Sequence, residues 1–298
     1  MTCIQPRISD KLSRTKWHPK WALRAFVIGL CILLNACTSL SSLLFYPDTH
    51  YYRTPAQLGV DSETIVLKSG LGATLTNWLL KPTGRPKASI LFLHGNGENI
   101  STHIGSVAWL TRQGYEVFLL DYQGYGLSTG TSTLSTAMGD IGAAHAWLSQ
   151  NRSTPLILFG QSMGGALAIA YLADSGASKS RDLRPFSGLI TESAPASWPQ
   201  IAREVMKKHW LTWLLQAPAS LITSRYDAED TIADVTEMPV LMLHSREDQV
   251  VPYHHLEQIL QSSHQNVRSL QTQGPHISGL ADEAIRQAFV TFINEVLD

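Results

Sequence analysis

The chain reads as an α/β protein built on a mostly parallel sheet. Three observations predict this. Short continuous apolar runs around Ile90, Val117, Leu156, Leu189, Val240 and Val267 have the look of strands buried on both faces. Helix-compatible stretches separate them, which is the α/β alternation. The run Leu156–Phe159 breaks into Gly160-Gln161-Ser162-Met163-Gly164 and then into small residues without proline, the pattern of a sharp strand-to-helix elbow.

The elbow singles out Ser162. Glycines two positions to either side leave room for a tight reversal that exposes the serine hydroxyl, and a serine there stands at a helix N-terminus, where backbone N–H groups and the dipole favour developing negative charge. A hydroxyl is a weak nucleophile, so the reading requires a histidine base and an orienting acid, in the chain order serine, acid, histidine.

Both partners are present at strand ends. Pro239–His244 forms a buried run, and Asp248 lies in the loop just beyond it, where ligands and catalytic groups of open α/β sheets gather. Glu247 is the adjacent competitor; Asp230 and Asp234 are more distant. The last strand is expected over Val267–Gln271, and Thr272-Gln273-Gly274-Pro275-His276 leaves it, making His276 the candidate base. The segment Glu257–Leu260 supplies the intervening helix. His254 and His255 begin that helix and His264 closes it, where surface histidines are the ordinary expectation; His94 and His244 sit at strand ends and read as structural.

Attack on an acyl carbon places charge on its oxygen, which preorganised N–H donors must meet. The run Ser89–Leu93 ends in His94-Gly95-Asn96-Gly97-Glu98-Asn99, a turn able to aim a backbone N–H into the site. Asn96 and Met163 are the expected main-chain donors.

These motifs, together with Phe45-Tyr46-Pro47-Asp48, Asp121-Tyr122-Gln123-Gly124-Tyr125-Gly126-Leu127-Ser128 and Arg225-Tyr226-Asp227, resemble the α/β-hydrolase superfamily and, within it, the Bem46-like or ABHD17-like serine hydrolases. The resemblance implies an eight-stranded, mostly parallel sheet with helices on both faces. It also implies hydrolysis of an ester, thioester or amide through an acyl-enzyme. Two departures stand out: Pro275 intervenes between Gly274 and the base, and the strand before Asp248 ends His244-Ser245 where the family commonly has His-Gly. The glycines of the Asp121–Ser128 segment read as a structural turn at the rim.

A preface of different character precedes the catalytic domain. Residues 1–36 hold Arg7, Lys11, Arg14, Lys16, Lys20 and Arg24 against Asp10, a net +5; with −1 for the whole chain the remainder carries −6. An acidic body without basic runs argues against nucleic acid as a partner. The apolar run Ala25–Leu34 has signal-peptide length, and Leu34-Asn35-Ala36-Cys37 resembles the lipobox of bacterial lipoproteins, with Cys37 as the lipid-bearing residue. The resulting division is a leader at 1–36, a lipid-anchored linker at 37–60 and a hydrolase domain at 61–298. With only Cys3, Cys31 and Cys37 in the chain, no disulfide is expected within the domain. Thr38 after the cysteine favours the outer membrane, facing the periplasm, by resemblance. The competing reading is an uncleaved signal anchor from Trp21 to about Leu44.

Between 195 and 238, where this fold often inserts a short helical cap, Trp198, Met206, Trp210, Trp213, Leu214 and Leu215 recur at helical spacing. Core packing is the commoner fate of such a stripe, with some members edging a pocket. No metal or organic cofactor is expected, since no His, Cys or carboxylate cluster shows ligand spacing. The expected function is a membrane-anchored serine hydrolase that cleaves carboxylic ester or thioester bonds of a small or lipid-like acyl substrate through an acyl-enzyme on Ser162. A peptidase or amidase using the same residues, and an idle hydrolase fold serving as an envelope scaffold, are the alternatives.

Overall fold

A computed structural model describes residues 41–70, 72–174, 182–207, 225–236 and 238–298. The leader, Cys37 and the cap residues Trp210, Trp213, Leu214 and Leu215 lie outside them. Among the described residues no helix is long and apolar enough to cross a membrane.

Eight strands form one sheet: β1 (Ser62–Lys68), β2 (Thr74–Leu80), β3 (Ser89–Leu93), β4 (Glu116–Leu120), β5 (Leu156–Gln161), β6 (Phe186–Glu192), β7 (Val240–Ser245) and β8 (Val267–Thr272). Their spatial order is β1-β2-β4-β3-β5-β6-β7-β8. β1 and β2 pair antiparallel and β2 meets β4 antiparallel, whereas every pairing from β4 to β8 is parallel. The expected mostly parallel eight-stranded sheet is therefore the observed one.

Burial follows position in the sheet. The central strands β3, β4 and β5 are buried at every residue, because helices cover both faces. Successive side chains leave a strand on opposite sides, so Ile90, Phe92, Val117, Leu119, Ile157 and Phe159 enter one core, while Leu91, Leu93, Phe118, Leu120 and Leu158 enter the other. Among the described residues the α-helices are α1 (Ile100–Val107), α2 (Leu134–Asn151), α3 (Met163–Ala173), α4 (Trp198–Lys207), α5 (Ala228–Thr231), α6 (His254–Ser262) and α7 (Glu283–Leu297). The first core is closed by α1 and α7, the second by α2 and α3. Edge strand β8 keeps only Thr272 buried, which explains why four residues of its sequence, Val-Arg-Ser-Leu-Gln-Thr, are polar.

Capping places the helices that matter for the site. The Asn99 side chain accepts the Ser101 N–H at 2.9 Å to open α1. Thr133 and Thr136 form a reciprocal capping box at α2. The Asp227 carboxylate accepts the Trp198 N–H at 2.7 Å, so the Arg225-Tyr226-Asp227 segment holds the start of α4 from a distance in sequence. Burial, the larger effect, pushes the Asp227 carboxyl up to about 6 despite that hydrogen bond.

The β5–α3 elbow is the tightest point of the fold. A Cβ on Gly160 would overlap the Gly164 carbonyl, and one on Gly164 would overlap the Leu93 carbonyl at the end of β3. Adding that single methyl at Gly164 is expected to cost about 3 kcal/mol or more, since neither backbone can move without opening the sheet. Gly139 in α2 has open space around its Cβ position, and there the same change is expected to stabilise by about 0.5–1 kcal/mol. Urea unfolding of Gly164→Ala beside Gly139→Ala measures both signs.

Candidate active site

Ser162, His276 and Asp248 come together at the carboxyl end of the sheet. The Ser162 hydroxyl lies 2.9 Å from His276 Nε2, and His276 Nδ1 lies 2.7 Å from Asp248 Oδ2. A carboxylate only accepts, so Nδ1 carries the proton and Nε2 presents its lone pair to the serine hydroxyl. Such a chain can take a proton from the hydroxyl while the imidazole stays oriented. Glu247, the competing acid, points elsewhere and accepts the Gly274 N–H at 3.0 Å.

Each member is held by its own element. Ser162 follows β5 as the N-cap of α3 and adopts φ +52°, ψ −121°, a conformation that strains any residue with a Cβ. Its N–H donates to the Glu192 carbonyl at 2.7 Å, which ties the elbow to the end of β6. Asp248 is buried in the loop after β7, and its Oδ1 accepts the N–H groups of Val250 and Val251, both at 2.9 Å. His244 donates to the Val251 carbonyl at 2.8 Å and so shapes the same loop from below, which makes it structural as expected. Burial alone would raise the Asp248 carboxyl. The hydrogen bond and charge of His276, with the backbone donors, outweigh it and hold the group below the ordinary value of 3.8.

The two departures from the family pattern meet in space. The Ser245 hydroxyl donates to the Gly274 carbonyl at 2.6 Å and accepts the Glu247 N–H at 3.1 Å. The residue replacing the usual glycine thus fastens the loop into which Pro275 is inserted.

Asn96 and Met163 both border an apolar groove that opens beside Ser162, walled by Leu44, Tyr46, Trp198, Ile201, Val205 and Val250. Their backbone N–H groups are absent from the hydrogen bonds found between backbone groups of the described residues. Trp198 and Met206 behave as the stripe predicted, packing into the core and lining this groove together. Gly95 passes so near the elbow that a Cβ there would stand 3.2 Å from that of Ser162.

Several residues were not legible beforehand. Glu192, 1% exposed, accepts Gln161 Nε2 at 2.6 Å and the Gly279 N–H at 2.8 Å, linking the elbow to the loop that carries His276. Burial pushes its carboxyl up against those hydrogen bonds. Its only sequence signal is an acid closing a buried strand. Among the described non-glycine residues, positive φ occurs at Glu98, Ser162, Ser193 and Ile277, each in a loop that bears the site.

His255 corrects the expectation of a surface histidine. It is wholly buried because α4 packs over it, and its Nδ1 accepts the Ala196 N–H at 3.1 Å. Its Nε2–H therefore donates to Glu204 on α4, also at 3.1 Å. Glu204, His254 and His255 are close enough to suggest a metal cluster. With Nδ1 already accepting, however, the His255 Nε2 lone pair is not available to an ion, and the cluster reads as a tie between α4 and α6.

Comparisons with known proteins bear on the fold and the family. The sequence model of a hydrolase family described as serine aminopeptidase, S33, matches residues 84–236. The chain is 28% identical over 291 residues to "Uncharacterized protein YfhR" of Escherichia coli O157:H7, covering 94% of this chain and 96% of that one. It is 27% identical over 209 residues to "Protein bem46" of Schizosaccharomyces pombe, covering 67% and 64%. An esterase of Pyrococcus furiosus, Pf2001, shares the fold with a TM-score of 0.67 at 18% identity, over 85% of this chain and 97% of that one. The chain belongs to the α/β-hydrolase family that the matching model describes, and it resembles the Bem46-like members of that superfamily.

The depressed Asp248 carboxyl has a pH consequence. Its folded value lies below its unfolded one, so the stability it contributes is present above about 3.8 and is lost as pH falls through the folded value. Urea midpoints taken from about pH 5 down to about pH 2 are expected to fall more steeply for the wild type than for Asp248→Asn. Parallel curves would contradict the assignment.

Proposed function

We propose that this chain is a membrane-anchored serine hydrolase that cleaves carboxylic ester or thioester bonds through an acyl-enzyme on Ser162. The unbroken hydrogen-bonded path from Ser162 through His276 to Asp248, with an apolar groove at its mouth, carries the reading. His276 accepts the hydroxyl proton as Ser162 attacks the acyl carbon, and Asp248 stabilises the imidazolium that forms. The N–H groups of Asn96 and Met163 receive the negative charge on the former carbonyl oxygen. His276 then returns its proton to the leaving alcohol or thiol, and water repeats the sequence in reverse to release the acid.

An apolar groove suits the acyl part of the substrate. Kinship supports hydrolysis without choosing the bond, and the family description, serine aminopeptidase, favours one second reading: an aminoacyl amide as substrate. The same residues would perform that reaction, since the leaving group alone differs.

The anchoring half of the proposal rests on residues 1–37. A basic stretch, a short apolar run and Leu34-Asn35-Ala36-Cys37 support cleavage before Cys37 and its lipidation, which would set the domain on the outer membrane of a bacterial envelope, facing the periplasm.

A fluorophosphonate probe is expected to label the purified protein and to leave Ser162→Ala unlabelled; labelling of both, or of neither, would reject the role of Ser162. Asp248→Asn is expected to lower kcat by about 10⁴-fold on an ester. Hydrolysis of aminoacyl amides but not of esters would transfer the assignment to the peptidase reading. Cys37→Ser is expected to abolish palmitate incorporation in cells; incorporation that survives would refute the lipidation site.

A further inference from the structure

The Asn96 side chain, at the border of the groove, is engaged by the chain around it through both of its polar atoms. Its Oδ1 accepts the Tyr46 N–H at 2.8 Å, the Tyr125 hydroxyl at 2.9 Å and the Gly97 N–H at 2.9 Å. Its Nδ2 donates to the Leu44 carbonyl. Tyr46 is 50 residues away in sequence, so this is a grip on a separate piece of chain.

That piece is the strap Leu44–Tyr52, which leaves a 3-10 turn at Leu44, and the residues following Asn96 hold it at further points. Asn99 Nδ2 donates to the carbonyls of Asp48 and His50 at 2.8 and 2.7 Å. The Asp48 N–H reaches the Glu98 carbonyl at 3.2 Å, and the Tyr52 N–H reaches the Ser101 hydroxyl at 2.9 Å. Phe45, 5% exposed, plugs the strap into the core. On either side of Phe45, Leu44 and Tyr46 line the groove together with Ile201 and Val205 of α4.

The loop needs such a hold. Gly97 has φ +85° and Glu98 φ +55°, so the turn contains one residue with little intrinsic preference and one under strain. A hydrogen-bond donor aimed at a developing charge is effective only when its position is set beforehand.

We infer that Asn96 is a positioning residue whose side chain, by gripping the Leu44–Tyr46 strap, makes that strap a wall of the active-site groove and holds the loop that presents the Asn96 main-chain N–H beside Ser162. This rests on the serine-hydrolase reading above. One side chain thereby couples the chain just after the leader to both the rate and the acyl preference of the site. Tyr125, from the Asp121–Ser128 segment, locks the grip from beneath.

The test uses the full-length protein, p-nitrophenyl acetate and p-nitrophenyl octanoate, with thermal unfolding run on each variant. Asn96→Ala is expected to lower kcat on both esters by about 10- to 100-fold, through a displaced donor, while KM for the acetate changes by about twofold or less. Tyr125→Phe, which deletes only one hydroxyl, is expected to lower kcat in the same direction by a smaller factor and remains decisive where Asn96→Ala does not fold. Leu44→Ala is expected to raise KM for the octanoate more than for the acetate. Folded Asn96→Ala or Tyr125→Phe with wild-type kcat would overturn the positioning role, as would a Leu44→Ala effect equal on the two esters. A wild type that turns over neither ester and takes no fluorophosphonate label would instead overturn the hydrolase reading beneath it.

Discussion

The close approach of β3, β5 and α3 at the elbow is the constraint on which the rest of the site depends. The chain must reverse from strand to helix so tightly that the positions two before and two after Ser162 meet backbone atoms where a Cβ would stand. Ser162 itself is forced to φ +52°. A serine so placed does not relax into the turn; its hydroxyl stands clear of the sheet, at the head of α3, facing the histidine. The stabilisation that offsets this strain lies elsewhere, in two apolar cores that bury the central strands completely on both faces.

Around the elbow, the loops leaving successive parallel strands are tied to one another rather than merely juxtaposed. The Glu192 main chain holds the serine, and its carboxylate holds Gln161 and Gly279, so one buried acid spans the elbow and the base-bearing loop. Ser245 does the same between the acid-bearing loop and Gly274. The positive-φ residues Ser193 and Ile277 flank these ties, and Glu98 lies in the loop after β3. Backbone conformations that are costly alone persist where the surroundings fix them, as the Glu192 carbonyl fixes Ser162 and the Leu243 carbonyl fixes Ser193. The consequence is a site whose geometry is set before any substrate arrives.

Much of this was legible in the amino-acid sequence, and what was missed shares one physical character. Strands β3 to β7 announced themselves because a strand covered on both faces must be continuously apolar, whereas the half-exposed β1 carries no such run. Ser162 was marked by glycines whose spacing only a tight elbow requires, Asp248 by its place just beyond the buried run of β7, and His276 by its place in the loop after the last strand. The grip of Asn96 on Leu44 and Tyr46, the burial of Glu192 and the burial of His255 under α4 leave no local signature. Each depends on a partner at least 31 residues distant. His255 is instructive: two adjacent histidines at a helix start read as surface residues, yet α4 covers one of them and leaves the other exposed.

The sequence by itself determined the class of fold, the family resemblance and the order of serine, acid and base, because these follow from local rules of periodicity, turn chemistry and the needs of a weak nucleophile. Only the tertiary structure decided which carboxylate faces the histidine, which surface forms the groove and which side chains hold the loops in place. Those choices turn on contacts between segments far apart in the chain, and no periodicity or spacing within either segment encodes the other's position.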